Sequence, residues 1–170
     1  MFSLPTKYNG YNFRSRTEAR WAVFFDAMKI KYYYEHEDFI LPNGRRYLPD
    51  FYLPNYDGNG CIVEVKGEFT EEEKQMCFDL FKLTNTTVIM LEGVPDFKVF
   101  ECYLWQDIKS KEQTTTGLFC HPQSKYGNRI YVEPGFASEY FAPDDWYDWH
   151  KRAVFLAREA QFEHGAKVLI

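Results

Sequence analysis

The hexapeptide Cys61-Ile62-Val63-Glu64-Val65-Lys66, which ends at Gly67, constrains this chain more than any other segment. It is short and rich in β-branched residues, and this predicts a strand. Side chains alternate across a strand, so Cys61, Val63 and Val65 share one face while Ile62, Glu64 and Lys66 share the other. Glu64 and Lys66 therefore project side by side. On a solvated strand they would be an ordinary ion pair worth about 0–1 kcal/mol. The rest of this strand reads as buried, and there two charges are costly unless a metal or a substrate needs them.

The flanking segments predict a layered fold. Residues 15–29 read as a helix, with Ala19, Trp21, Ala22, Val23, Phe24, Phe25, Ala27 and Met28 forming a broad apolar face. Ser15 and Glu18 match a capping box at its start. Lys31–Phe39 and Arg46–Leu53 read as two strands of a hairpin around Pro42-Asn43-Gly44. Beyond the hexapeptide, Thr70 and Glu73 form a second capping box, opening a helix that runs to about Leu83. Thr87–Leu91 is a continuous apolar run, as expected of a strand covered on both faces. The order is α-β-β-β-α-β. Past Gly93, Lys98–Trp105, Gly117–His121 and Arg129–Glu133 read as short strands of a small antiparallel extension, with Lys109–Thr116 as a mobile loop. A final helix is expected from Pro143 to Gly165, its stripe of Trp146, Trp149, Ala153, Leu156 and Ala160 packing on the sheet.

A length of 170 residues suits one domain, here a core over about 13–92 with an elaboration over 93–170. The net charge of −5 gives no global attraction to a polyanion, so affinity for nucleic acid must come from a local basic patch or from bridging metal ions. The chain shows neither a secretory leader nor an apolar run of membrane-spanning length, which predicts a soluble, cytoplasmic protein without a membrane partner. Cys61, Cys77, Cys102 and Cys120 include no C-x-x-C pair, so buried thiols are expected. Zinc held by Cys102, Cys120 and His121 is the alternative, without the closely spaced ligand pairs that such sites use. Aromatics make up 19% of the chain and can stack on bases, but they also dominate ordinary cores.

The preceding strand supplies a second carboxylate. Pro49 cannot donate to a sheet ladder and favours a strand edge or terminus, which leaves Asp50 accessible. If the two strands pair, Asp50 can face Glu64. Two carboxylates and a backbone carbonyl make a hard oxygen site of the kind Mg²⁺ accepts while keeping waters and a substrate phosphate. Such a site suits phosphodiester cleavage, with Lys66 orienting the nucleophile or stabilising phosphoryl oxygens.

Leu48-Pro49-Asp50-Phe51, a gap of 13 residues between Asp50 and Glu64, then Glu64-Val65-Lys66-Gly67, resembles the PD-(D/E)XK nuclease signature. The resemblance implies a restriction-endonuclease-like αβββαβ core with a mixed sheet, in agreement with the order read above. It implies Asp50 and Glu64 as ligands of Mg²⁺ or Mn²⁺, Val65 as a carbonyl ligand and Lys66 as the catalytic lysine. Many members add a glutamate from the first helix. Glu18 corresponds to it within Phe13–Trp21, a segment similar to those of the junction-resolving and transposon-end branches, and there a metal role competes with its capping role.

Arg14, Arg16 and Arg20, with Lys7, cluster at the first helix, and Arg45 and Arg46 lie in the hairpin turn. All are candidates for phosphate contacts, a solvated face being the alternative. Lys74 and Gln75 in the second helix stand where some members of the family that the chain resembles carry an auxiliary polar residue, ordinary exposed helix formers being the alternative. His36, His121, His150 and His164 form no ligand pair and receive no role. No Walker loop, nucleophile elbow or dinucleotide fingerprint is present. The expectation is a Mg²⁺-dependent DNA nuclease, an endonuclease, with a homodimer as a possible assembly. The alternatives are an inactive DNA- or partner-binding module on the same fold and, ranked below it, RNA cleavage.

Overall fold

A computed structural model describes residues 5–105, 113–124, 127–132 and 144–162, the side chains of 144–147 excepted. The chain opens with a hairpin that the sequence reading passed over: β1 (Thr6–Tyr8) and β2 (Tyr11–Phe13) pair around Asn9-Gly10. Both turn residues have positive φ, 48° and 83°, as a two-residue type I′ turn requires. Helix α1 (Arg16–Ala27) follows, its first turn capped by the Ser15 hydroxyl, which accepts from the Glu18 N–H at 3.1 Å.

The two long strands expected next are each broken. β3 (Tyr33–Tyr34) pairs with β6 (Phe51–Leu53), while β4 (Phe39–Ile40) and β5 (Arg46–Tyr47) form a separate two-stranded hairpin. The breaks have local causes. Glu35 takes a left-handed φ of 49°, which ends the extended run, and Pro49 has no N–H with which to carry a ladder from β5 into β6.

β7 (Cys61–Lys66), α2 (Glu71–Thr84) and β8 (Thr87–Glu92) form a β-α-β unit with β7 and β8 parallel. β9 (Phe100–Tyr103), β10 (Thr115–Phe119) and β11 (Ile130–Val132) continue the same sheet antiparallel. The result is an α/β fold whose mixed seven-stranded sheet has the order β11-β10-β9-β8-β7-β6-β3. Thr115 and Thr116, expected in a mobile loop, pair instead with Cys102 and Glu101, while 109–112 of that loop lie outside the described residues.

Alternation along β7 and β8 sorts the core onto the two faces as the sequence predicts. Val63, Val65, Ile89 and Leu91 pack with Phe24 and Phe25 of α1, and Ile62, Val88 and Met90 pack with Met76, Leu80 and Phe81 of α2. Burying each such side chain contributes about 1.5–3 kcal/mol. Glu64 therefore starts from a strand clamped between two apolar layers.

Helix α3 (Asp144–Glu159) departs from expectation in length and partner. It ends before Ala160, and it packs chiefly on α1 instead of directly on the sheet. Its Ala153 and Ala157 are fully buried in the cluster that holds Ala19 and Ala22, small residues that allow close helix approach. The Trp146 side chain and the expected termini at Pro143 and Gly165 lie outside the described residues, as do Glu133 and His164. Among the described residues no helix is long and apolar enough to cross a membrane.

Candidate active site

The β6–β7 register pairs Phe51 with Val63, which sets Asp50, one residue before β6, opposite Glu64. The two are joined through the backbone. The Asp50 N–H donates to Glu64 Oε1 at 2.8 Å, and the Val65 N–H donates to Asp50 Oδ2 at 2.8 Å. Glu64 is 2% exposed and Asp50 8%, so neither carboxylate can rely on bulk water. Each keeps a second oxygen outside these backbone bonds. Lys66 Nζ lies 3.8 Å from Glu64 Oε2 and 3.5 Å from Glu73 Oε2 at the edge of the cleft.

The charge balance of the cluster is unfavourable to its carboxylates. Burial, then the neighbouring Glu64 and Glu18, holds the Asp50 carboxyl well above the usual carboxylate range. Burial pushes Glu64 up to about 7, against the opposing pull of the Tyr47 hydroxyl and the Lys66 ammonium. For Lys66, burial works to lower the pKa, but Glu64, Asp50 and Glu73 together outweigh it and raise it. Lys66 therefore stays charged, and a second cation would relieve the carboxylates that one lysine does not balance.

The donor set fits a hard divalent cation. Lys66 turns its carbonyl toward β8, accepting from the Gly93 N–H at 2.8 Å, so the carbonyl of Val65, one peptide earlier, turns the other way, toward Asp50. Asp50, Glu64 and the Val65 carbonyl would hold Mg²⁺ or Mn²⁺, with water and substrate oxygens completing the shell. Among the described residues, no three His, Cys, Asp or Glu side chains already surround one metal position.

Glu18 lies 8% exposed near the pair but is engaged elsewhere. Its Oε1 accepts from the Ser15 hydroxyl at 3.2 Å, and its Oε2 accepts a short hydrogen bond from the Tyr34 hydroxyl. Its N–H completes the cap. Of the two roles weighed from the sequence, these contacts serve the cap, and Tyr34 is a further partner that the motif did not announce.

The cleft over the carboxylates has a volume of about 930 Å³, and Arg14, Arg45 and Arg46 line it. Each of the three is matched with an acid, Arg14 with Glu35 at 2.6 Å, Arg45 with Glu72 at 3.2 Å and Arg46 with Asp38. The Arg45 and Arg46 pairs are exposed and hold little energy, while Glu35 is half-buried. Arg16 is not part of the lining. Arg20, a candidate phosphate contact, is committed elsewhere: its Nη1 donates to the carbonyls of Ala157, Arg158 and Ala160 at 2.7, 2.8 and 3.2 Å, capping the end of α3.

Lys74 and Gln75 are turned away from the cleft, Lys74 toward Glu101 at 3.8 Å and Gln75 toward Asp79 at 3.0 Å. The α2 side chain that stands beside Lys66 is instead Glu73. Its Oε1 accepts from the Thr70 N–H and hydroxyl, while its Oε2 faces Lys66. Glu73 read only as a capping residue, yet the short link from Lys66 to Thr70 was a signal that the first turn of α2 must stand beside the strand end. Tyr47, next to Glu64, was also missed.

The four cysteines are buried and unbridged, as expected. Cys102, Cys120 and His121 do not gather as a zinc site. His121 instead stacks on Trp149 with ring centroids 3.9 Å apart, and its Nδ1 accepts from the Gln123 N–H. No family model matches the chain, nor does any curated protein or solved structure.

Proposed function

We propose that the chain is a metal-dependent nuclease with a restriction-endonuclease-like core, hydrolysing DNA phosphodiester bonds as an endonuclease. The observation that carries this reading is the backbone-linked pair Asp50 and Glu64 with Lys66 beside it, at the end of a strand clamped by two apolar layers. A bound Mg²⁺ or Mn²⁺ would supply an acidified water and neutralise charge building on the phosphoryl oxygens.

The residues of the chain divide the remaining work. Asp50 and Glu64 would each offer the cation one oxygen, while their other oxygens accept from peptide N–H groups that hold the carboxylates in place. Lys66 remains protonated, so it acts by holding the attacking oxygen or a non-bridging phosphoryl oxygen, and not as a proton acceptor. Glu73 fixes the ammonium from the helix side. Arg14, Arg45 and Arg46 exchange their carboxylate partners for backbone phosphates along the cleft.

The test is a cleavage panel of linear, branched and single-stranded DNA with Mg²⁺ or Mn²⁺, run beside Lys66→Ala. Metal-dependent cutting that falls by about 10²-fold or more in the variant supports the reading. Failure of the wild type to cut any form, or undiminished cutting by the variant, overturns it.

A further inference from the structure

We infer that a second cavity beside the cleft binds one unpaired nucleobase of a DNA strand, an assignment that rests on the nuclease reading of the cleft itself. α2 covers the sheet face over β7 and β8, and at the margin of that cover Tyr33 and Tyr52 stand side by side as half-buried register partners of β3 and β6, Tyr52 packing against the α2 cluster. His36 lies flat against both, 4.8 Å from the Tyr33 ring at 20° and 5.6 Å from the Tyr52 ring at 9°. Parallel rings of this kind at an accessible edge form a platform on which a heterocycle stacks whatever its sequence.

The cavity behind this platform measures about 260 Å³, below the roughly 300–1,000 Å³ of pockets for drug-sized ligands and suited to a single ring system. His36, Tyr52, Phe39 and Ile62 supply its aromatic and apolar wall, and Thr84 and Thr86 bring hydroxyls to it. The Thr hydroxyls donate to backbone carbonyls, Thr84 to Leu80 at 2.8 Å and Thr86 to Thr84 at 3.2 Å; Thr84 Oγ1 also accepts from the Thr86 N–H at 3.2 Å, so the Thr86 oxygen is the freer acceptor for an exocyclic amino group. Glu37 is a further acceptor.

Position gives the cavity its meaning. His36 and Glu37 line both it and the cleft of Asp50, Glu64 and Lys66, so the two spaces share a wall. Lys31 lies 5.2 Å over the Tyr33 ring and brings a cation to the outer edge of the platform, where the next phosphate would run. A base stacked in a duplex cannot enter the cavity without leaving its partner. The class of substrate favoured is therefore DNA with an unpaired base next to the cut: a bulge, a flap or a single-stranded end.

The test follows 2-aminopurine fluorescence, with Ca²⁺ replacing Mg²⁺, for the base placed in a one-nucleotide bulge, in a single strand and in a full duplex. We expect quenching and tight binding for the two unpaired forms alone. His36→Ala should weaken their binding roughly 5- to 100-fold and remove the quenching, while His36→Trp, which keeps a stacking face, retains both. Equal binding of paired and unpaired DNA, absence of binding, or quenching untouched by His36→Ala overturns the assignment. Parallel cutting assays in Mg²⁺ separate the two readings. Cutting without quenching removes the base pocket alone, and quenching without cutting supports the pocket while removing the nuclease reading.

Discussion

Asp50 and Glu64 are held to each other through the main chain, the N–H of one donating to Oε1 of the other at 2.8 Å. Glu64 therefore has a structural as well as a chemical duty, and substitutions can separate the two. Glu64→Gln keeps an oxygen for the Asp50 N–H and removes a buried negative charge. It should leave the metal-free protein as stable as the wild type or more so, with cutting lost. Glu64→Ala leaves the buried N–H without an acceptor and should cost about 1–3 kcal/mol, read by urea unfolding in EDTA.

The raised pKa of Glu64 makes stability depend on pH with a defined sign. A carboxyl whose folded pKa stands at about 7, against an ordinary 4.5, binds its proton more tightly when folded. Its contribution is full below about pH 4.5 and is lost as the pH rises through about 7, and Asp50 acts in the same direction. Thermal midpoints in EDTA should fall across that window. Mg²⁺ should restore them, with the larger effect at the alkaline end, since the cation binds the deprotonated pair.

Lys66 has two carboxylate neighbours and one proposed task. Lys66→Met should reduce cutting by about 10²–10³-fold, the loss typical of a single electrostatic group, while calorimetry still detects Mg²⁺ binding. Loss of metal binding together with cutting would instead make Lys66 a structural counter-ion.

The arginines are expected to divide by location. Arg20→Met removes the donor to three carbonyls at the end of α3 and should destabilise the fold by about 1–3 kcal/mol, with DNA affinity unchanged once folding is complete. Arg46→Ala should do the reverse, leaving the thermal midpoint in place while weakening DNA binding of every sequence and flattening its salt dependence. Thermal melts beside DNA titrations at several salt concentrations resolve the pair.

The legible parts of the fold were those governed by strong periodicity. β7, α2 and β8 were readable because alternation, a capping box and a continuous apolar run each impose one answer, and Asp50 opposite Glu64 follows once β6 pairs with β7. The short strands were less legible. The division of residues 31–53 between the main sheet and the β4–β5 hairpin turns on Glu35 adopting a left-handed φ, which no local rule demands of a glutamate. Asn9-Gly10, by contrast, is a hairpin signal legible in the sequence. At the site, the acid and lysine positions were visible in spacing, whereas Tyr34, Tyr47 and Glu73 come together only through tertiary packing. Arg20 showed the opposite effect, since its charge suggested a ligand contact where the fold uses it to close a helix.

The clamping of β7 between two apolar layers has a consequence for how the protein would fail. Asp50 stands immediately before β6 and Glu64 lies on β7, and those paired strands lie inside the sheet, not at its border. Their amide protons should be among the last to exchange with solvent, at a rate set by unfolding of the whole sheet. Heat should therefore extinguish the site and the fold in one step, with no intermediate temperature at which an intact scaffold carries a disordered centre.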